Sequence, residues 1–265
     1  MASQLQGYEP ETQQEMPSQY DTGMQPPGGA GGGGHLQALR SAMQVNLDVF
    51  REPRGVMRII HLVFSLFAII TICSYDNEVT FAVKCPDPQP RSVVSFPYDY
   101  PFKLDHISRK EACSHPESRY LTLYGDFSSD AEFFVAVGVL SLLGAAAASA
   151  IYALYEAQYQ SNPLISLADF GGTALFALLW LSASAAWANG LSGIKHSTEP
   201  AILMRTNQCG KGLCENVTTG SFSGLNISVI LGFLNFFLWT SDLWFIYKET
   251  PWFKMKQQPL DQQIN

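Results

Sequence analysis

Residues 133–155 read FFVAVGVLSLLGAAAASAIYALY and contain no charged side chain. Because a helix of about 20 apolar residues crosses the hydrocarbon core of a bilayer, this stretch predicts a membrane span. Three further stretches of comparable length and apolarity occur at 56–74, 164–187 and 225–247. The sequence therefore predicts an all-α membrane protein whose fold is a bundle of four transmembrane helices.

The overall composition hides these segments, since the mean hydropathy of the 265 residues is only +0.04. The formal net charge is −7, and no clustered basic face of the kind that binds nucleic acid is present in the sequence. We expect a disordered segment at 1–50, because Gly, Pro, Gln and Ser dominate most of it. A single four-span unit at 51–250 and a short tail at 251–265 complete the predicted organisation.

Charge and sequons agree on the orientation of the spans. Basic residues precede the first span and follow the last, so both termini are predicted to be cytoplasmic. The connections 75–132 and 188–224 are then luminal. Two glycosylation sequons, at Asn216 and Asn226, lie at or near the second connection, as this orientation requires. Asn216 is the better candidate, because Asn226 lies close to the bilayer.

Four of the five cysteines fall in the predicted luminal connections, where an oxidising compartment favours disulfides. Four cysteines allow three pairings, and we favour one bridge within each connection, since glycines make the second stretch flexible. A zinc site is the alternative, and it is disfavoured because no histidine pair at finger-like spacing accompanies the thiols. Cys73 lies inside the first span and is expected to stay reduced. The four loop cysteines are Cys85, Cys113, Cys209 and Cys214.

The first luminal connection is predicted to form a small ordered cap. Residues 79–83 and 92–96 have strand-like composition, and the prolines around them exclude a continuous helix. Together with the expected disulfides, this pattern predicts a stapled cap that contains short strands.

Small residues are predicted to hold the spans together, because lipid solvates leucine as well as another helix does. Ser141, Ala145 and Ser149 recur four apart in the second span, and 182–186 reads SASAA in the third. Packing within one bundle is favoured over a dedicated dimer face. The aromatic residues that we expect to anchor the helices at the membrane interfaces are Trp187, Trp239, Trp244 and Tyr247.

Ionisable residues inside the spans form the candidate functional site, because an uncompensated charge in hydrocarbon costs at least several kcal/mol. His61, Asp169 and Asp242 each lie about five residues from the predicted cytoplasmic boundary, which corresponds to a depth of roughly 6 to 8 Å. We favour a cluster of interhelical hydrogen bonds over a proton or cation pathway, since no chain of acids or histidines continues toward the luminal side. No catalytic constellation, metal site or phosphate-binding loop accompanies them, so the chain is interpreted as non-enzymatic.

Six longer motifs, in the right order over about 51–249, resemble the synaptophysin family, which includes synaptoporin, pantophysin and mitsugumin-type proteins. Motifs of this length are far more specific than a lone sequon. They are EPRG (52–55), FPYDYPF (96–102), GDFSSDAEFFV (125–135), WLSASAAWANGL (180–191), GFLNFFLW (232–239) and WFIYKET (244–250).

The resemblance implies a MARVEL-type four-helix domain in the membranes of synaptic or other small transport vesicles, with cytoplasmic termini. It also implies glycosylated, disulfide-bonded luminal loops, homo-oligomerisation, and association with cholesterol and with the vesicle SNARE synaptobrevin. No cofactor is implied apart from cholesterol as a bound lipid. Asp242 departs from the family pattern, since the relatives carry a neutral Asn at that position.

Arg58, Phe64 and Leu66 are a candidate sterol contact, because they satisfy a permissive reversed recognition pattern. The favoured function is a non-enzymatic organiser of vesicle membrane and of the machinery for fusion and recycling. The principal alternative is an oligomeric ion channel or transporter, in which polar faces of several protomers line a pore. A junction protein is a third hypothesis, and it is disfavoured because the claudin-like Trp-Leu-Trp signature is absent from the sequence.

Overall fold

The computed structural model describes most of the predicted four-span unit. Predictions for residues 1–47, for most of the tail and for Cys113 and Cys209 fall outside the described part of the chain. The described residues are 48–85, 91–110, 120–205, 214–250, 253 and 255.

Four long apolar helices dominate the described residues, and each is long enough to cross a membrane. Each contains most or all of one predicted apolar stretch, so the predicted all-α membrane fold is confirmed. The long helices are α1 (Pro53–Cys73), α2 (Ser128–Leu154), α4 (Pro163–Ser197) and α6 (Ser223–Glu249). The short helices are α3 (Glu156–Ser161) and α5 (Pro200–Leu203), with 3-10 turns at Asp48–Arg51 and Leu104–His106.

The four long helices form a ring in which the backbone of each packs closely against two neighbours. Helix α1 packs between α2 and α6, and α4 packs between the same two helices on the other side. Helices α1 and α4 therefore face each other across the diagonal of the bundle. Small residues permit close approach: a Cβ added to Gly232 of α6 would come within 2.4 Å of Ser184 Oγ and 2.6 Å of the Phe134 ring. Ser141 and Ala145 of the predicted small-residue row are fully buried.

Helix α4 is ten residues longer at its carboxyl end than the predicted third span, which stops at residue 187. Its 35 residues give a length of roughly 52 Å, well beyond the roughly 30 Å of a hydrocarbon core. The predicted boundary followed the loss of apolar character, whereas a helix continues wherever its backbone hydrogen bonds continue. At the other end, Asn162 caps the helix by accepting a hydrogen bond from the Leu164 N–H at 3.0 Å.

A three-stranded antiparallel sheet covers one end of the bundle, with strand order β2-β1-β5. The predicted strands at 79–83 and 92–96 are confirmed, since they lie in β1 and β2, whereas the second long connection supplies β5. A two-stranded sheet, β3 with β4, completes the cap. The strands are β1 (Asp76–Val83), β2 (Ser92–Asp99), β3 (Ser108–Lys110), β4 (Tyr120–Thr122) and β5 (Cys214–Thr219).

We call the end of the bundle that carries these sheets the cap end. The opposite end, where α1 begins and α6 ends, is the terminal end, and the sequence predicts that it faces the cytoplasm. The cap rests on the bundle through aromatic contacts, since the Phe102 ring lies 5.3 Å from the Trp187 ring, centroid to centroid. Phe81 and Phe96 stack inside the cap with their ring centroids 5.2 Å apart. The buried apolar side chains of the cap and of the bundle form one continuous core.

The prediction that Trp187 and Trp239 anchor the helices at the interfaces is wrong, because 0% and 1% of these residues are exposed. Trp187 lies well inside α4, which continues beyond the predicted boundary, and its Nε1 donates to Ser228 Oγ at 2.8 Å. Trp244 is 58% exposed near the terminal end, where an anchoring residue is expected.

Candidate functional site in the helix bundle

Arg58 of α1 is the centre of a buried cluster of charged side chains near the terminal end. Its Nη2 atom lies 2.6 Å from Oδ1 of Asp169 on α4, and its Nη1 atom lies 3.1 Å from Oδ2 of Asp242 on α6. Only 1% of Arg58 is exposed, and Asp242 is fully buried. The guanidinium therefore bridges carboxylates from two other helices.

His61 follows Arg58 by three residues on α1 and contacts one of the same carboxylates. Its Nε2 atom lies 3.2 Å from Asp242 Oδ2, and its ring stacks on the indole of Trp239 with centroids 4.1 Å apart. The three-residue spacing puts both basic side chains on one helix face. The structure thus brings the three ionisable residues chosen from the sequence together around an arginine.

Asp169 accepts hydrogen bonds from two tyrosines as well as from Arg58. The hydroxyl of Tyr152 on α2 makes a short hydrogen bond to Oδ2, and the Tyr159 hydroxyl donates to the same oxygen at 3.0 Å. Arg58 Nη2 also donates to Thr173 Oγ1 at 2.9 Å, one turn beyond Asp169. Burial, reinforced by the Asp169 carboxylate, raises the pKa of Tyr159, which lies in α3 between two spans. Tyr159 therefore stays a protonated donor at neutral pH.

A second arginine, Arg54, covers the cluster on the side of the terminal end. Its Nη2 atom lies 2.7 Å from Glu52 Oε2 and 3.7 Å from Glu156 Oε1. Its guanidinium carbon lies 5.5 and 5.1 Å from the ring centroids of Tyr152 and Tyr159. Each positive charge at this end of α1 is thus matched by carboxylates and aromatic rings.

Within the central cluster, two carboxyl groups, those of Asp169 and Asp242, face one arginine, Arg58. Removing one partner of a buried ion pair typically costs about 3–5 kcal/mol, since the remaining charge is left uncompensated. The cluster therefore fixes α1 against both α4 and α6.

Toward the cap end, the polar core continues with neutral groups. Ser65 Oγ lies 2.9 Å from Ser141 Oγ and 3.4 Å from Asn235 Oδ1. Asn235 Nδ2 donates to the carbonyl oxygens of Phe64 and Leu231 at 3.2 and 2.9 Å. Hydroxyls and amides do not ionise near neutral pH, so this layer joins α1, α2 and α6 without extending the charged cluster.

The central role of Arg58 was not predicted, because the sequence pattern grouped it with Phe64 and Leu66 as a sterol contact. The guanidinium faces the bundle interior, whereas Leu66 is 46% exposed on the outside. The structure does not bring the three residues onto one lipid-facing surface. The sequence did contain a pattern that indicates an inward-facing Arg58. Arg58, His61 and Ser65 recur at three- and four-residue spacing, which is typical of a polar face on one helix.

The two cap cysteines that lie in the described ranges are oxidised. Cys85 and Cys214 are each disulfide-bonded, and Cys214 lies opposite Val83 in the pairing of β1 with β5. Cys73 of α1 is a free thiol. Within the described ranges, no group of three or more His, Cys, Asp or Glu side chains is arranged to hold a metal ion.

The two sequons occupy different settings. Asn216 is exposed in β5, with a φ of 52°, where the register between β1 and β5 shifts. Asn tolerates this left-handed conformation better than most residues. Asn226 lies in the first turn of α6, and its Oδ1 accepts a hydrogen bond from Lys195 Nζ at 2.6 Å. One sequon is therefore on an irregular cap strand and the other on a spanning helix.

Comparison with known families gives a match that includes the whole charged cluster. The model of the MARVEL family, described as a membrane-associating domain, matches residues 49–245. This range contains the cap and nearly all of the four long helices, and it is well over half of the chain. The protein therefore belongs to the MARVEL family of membrane-associating domains.

Proposed function

We propose that this protein is a non-enzymatic integral membrane protein of synaptic or other small transport vesicles. In this role it organises the vesicle membrane and the fusion and recycling machinery, through association with synaptobrevin and cholesterol and through assembly into homo-oligomers. The proposal rests chiefly on the MARVEL match over residues 49–245. The six motifs that resemble the synaptophysin family narrow it to vesicle membranes.

The internal pairing of the charged cluster supports an organising role over chemistry. Arg58 is bound by two carboxylates, and Asp169 by the arginine and two tyrosines, so both Nη atoms of Arg58 and both oxygens of Asp169 have partners. Such a network stabilises a single arrangement of the helices. The outer faces of the helices carry large apolar side chains suited to contact with lipid, among them Phe67, Leu143, Leu178 and Ile230.

Localisation and partner capture test the vesicle role. The endogenously tagged protein should co-fractionate with a synaptic, recycling or muscle triad marker, and cross-linking before solubilisation should recover synaptobrevin and higher oligomers. A tagged four-span protein of unrelated family, expressed at the same level, is the control for non-specific capture. Absence from all three compartments, together with no recovery of synaptobrevin above the control, would refute the vesicle role.

The alternative of an ion channel or transporter is favoured by one observation, the placement of two aspartates and a histidine around one arginine inside the bundle. Titratable side chains at membrane depth are typical of ion and proton pathways. Purified protein in liposomes should be electrically silent if the organising role is correct. Selective flux in the wild type that disappears in Asp169→Asn, while the variant remains folded, would support the alternative.

A further inference from the structure

A cavity of about 250 Å³ lies between α2 and α4 in the half of the bundle nearer the terminal end. Glycine and alanine form much of its walls, and Asp169 and Tyr159 lie at its polar end. Ala147, Ile151 and Ala168 at its rim are exposed on the outer surface. The cavity therefore opens sideways, toward the lipid that surrounds the helices.

Two glycines define its extent. A Cβ added to Gly172 of α4 would meet no atom within 4 Å, so empty space begins at the backbone of this residue. A Cβ added to Gly144 of α2 would come within 2.6 Å of the Phe176 ring. The Phe176 ring therefore narrows the cavity at the end nearer the bundle centre. From Gly144 to Ile151 the α2 wall is roughly 10 Å long.

Two residues that line the cavity carry buried N–H groups with no partner among the described residues. They are Arg58, through Nε, and Trp239, through Nε1, and both side chains are at most 1% exposed. A buried donor without an acceptor is costly in a protein interior. Because both residues line the cavity, an acceptor oxygen on a molecule inside it would satisfy such a donor.

The surroundings restrict what that molecule can be. Asp169 and Asp242 already outnumber Arg58, so an additional anionic group is disfavoured. The remaining wall is almost entirely apolar, which requires a hydrocarbon portion beside the acceptor. About 250 Å³ is below the roughly 300–1,000 Å³ of pockets that enclose drug-sized molecules, so the cavity takes one segment of a lipid and not a whole molecule.

We propose that this cavity holds the ester carbonyl and the adjoining acyl chain of a zwitterionic phospholipid from the leaflet at the terminal end. The carbonyl oxygen accepts from Trp239 Nε1, and the chain runs along α2 and α4 toward the bilayer centre. Asp169 is six residues from the start of α4, or about 9 Å along the helix. A lipid ester group at the hydrocarbon boundary therefore needs to move only a short distance inward to reach it. The site depends on membrane insertion alone and not on the vesicle role.

Photolabelling tests the site with a matched pair of variants. The full-length protein is placed in phosphatidylcholine nanodiscs with a phosphatidylcholine whose acyl chain carries a diazirine, and labelled peptides are identified by mass spectrometry. Gly172→Leu fills the cavity, whereas Gly171→Leu adds the same side chain at an exposed neighbour with open space around it. Labelling of the α2 segment around Ala147 should fall about tenfold in the first variant and stay unchanged in the second.

A second variant keeps the test decisive if Gly172→Leu does not fold. Trp239→Phe retains an aromatic ring and removes the unpaired N–H, so native mass spectrometry should find several-fold less retained phosphatidylcholine. Equal labelling in the wild type and Gly172→Leu, or unchanged retention in Trp239→Phe, would overturn the site. Displacement of the probe by a photoreactive sterol at the same peptides would overturn the acyl-chain assignment.

Discussion

The Nη2 atom of Arg58 lies 2.6 Å from Oδ1 of Asp169, and this contact joins α1 to α4 across the diagonal of the bundle. The two helices do not pack side by side, because α2 and α6 separate them. A long side chain is needed to cross the centre, and the planar guanidinium can serve two carboxylates at once. One residue thereby ties three of the four long helices together.

Replacing Arg58 by Met should destabilise the bundle strongly. The variant keeps a long apolar side chain but leaves two buried carboxylates without their cation, so the free energy of unfolding should fall by about 3–5 kcal/mol. Thermal unfolding of the purified protein in detergent measures the loss. Leu66→Ala, on the exposed face of the same helix, is the control and should change stability much less. An Arg58→Met protein with the wild-type melting temperature would contradict the central role of this residue.

Asp169→Asn should be more harmful than Asp242→Asn. Both oxygens of Asp169 accept hydrogen bonds, so an amide there turns one acceptor into a donor facing a donor, at a cost of about 1–3 kcal/mol. Asp242 uses only Oδ2, and its Oδ1 has no partner, so Asn retains the acceptor that Arg58 and His61 need.

With Asn at 242, Arg58 still keeps one carboxyl partner, Asp169. Asp242→Asn should therefore unfold within a few degrees of the wild type in the same detergent assay. If both variants lost equal stability, the unequal hydrogen bonding of the two carboxylates would not explain their behaviour.

Gly232→Ala should loosen the packing of α6. The added methyl group would lie 2.4 Å from Ser184 Oγ and 2.6 Å from the Phe134 ring, so the helix must shift away from its neighbours. Overpacking of this kind typically costs about 1–3 kcal/mol, which a lower melting temperature would report. Gly171→Ala is the matched control, since its new methyl group meets nothing within 4 Å. Equal melting temperatures for the two variants would argue against the close contact.

Glycosylation should occur at Asn216 rather than Asn226. Asn216 is exposed on an irregular strand of the cap, whereas the Asn226 amide lies on a spanning helix and binds Lys195. Asn216→Gln should abolish the mobility shift that a glycosidase produces in protein from mammalian cells, and Asn226→Gln should leave it unchanged. A shift lost only in Asn226→Gln would reverse the assignment, and no shift in the wild type would count against a luminal cap.

Part of the candidate site was readable from the sequence. His61, Asp169 and Asp242 stood out because charges are rare in apolar stretches, and their similar depth suggested a common cluster. Arg58 lies in the same stretch, yet its nearness to the predicted boundary allowed its side chain to reach the lipid headgroups instead. Whether the Arg58 side chain points into the bundle or out to the headgroups depends on how α1 is rotated about its axis, and the sequence of α1 does not fix that rotation.

In the cap, too, the sequence indicated the local strands but not the long-range pairing. The strand composition of 79–83 and 92–96 indicated β1 and β2, which are close in the chain. Strand β5 comes from a connection more than 100 residues later, and its pairing with β1 requires that α1 and α6 lie side by side. A contact of this range is set by the packing of the bundle and leaves no local pattern.

The sequence alone determined that four helices cross a membrane, because hydrophobicity is a property of each side chain and the bilayer demands a fixed length of apolar chain. It also marked the strands and the ionisable residues. Only the tertiary structure decided which face of each helix turns inward, that Arg58 binds two carboxylates, and that a cavity remains between α2 and α4. Those outcomes depend on the simultaneous packing of all four helices, in which each rotation is fixed by its neighbours.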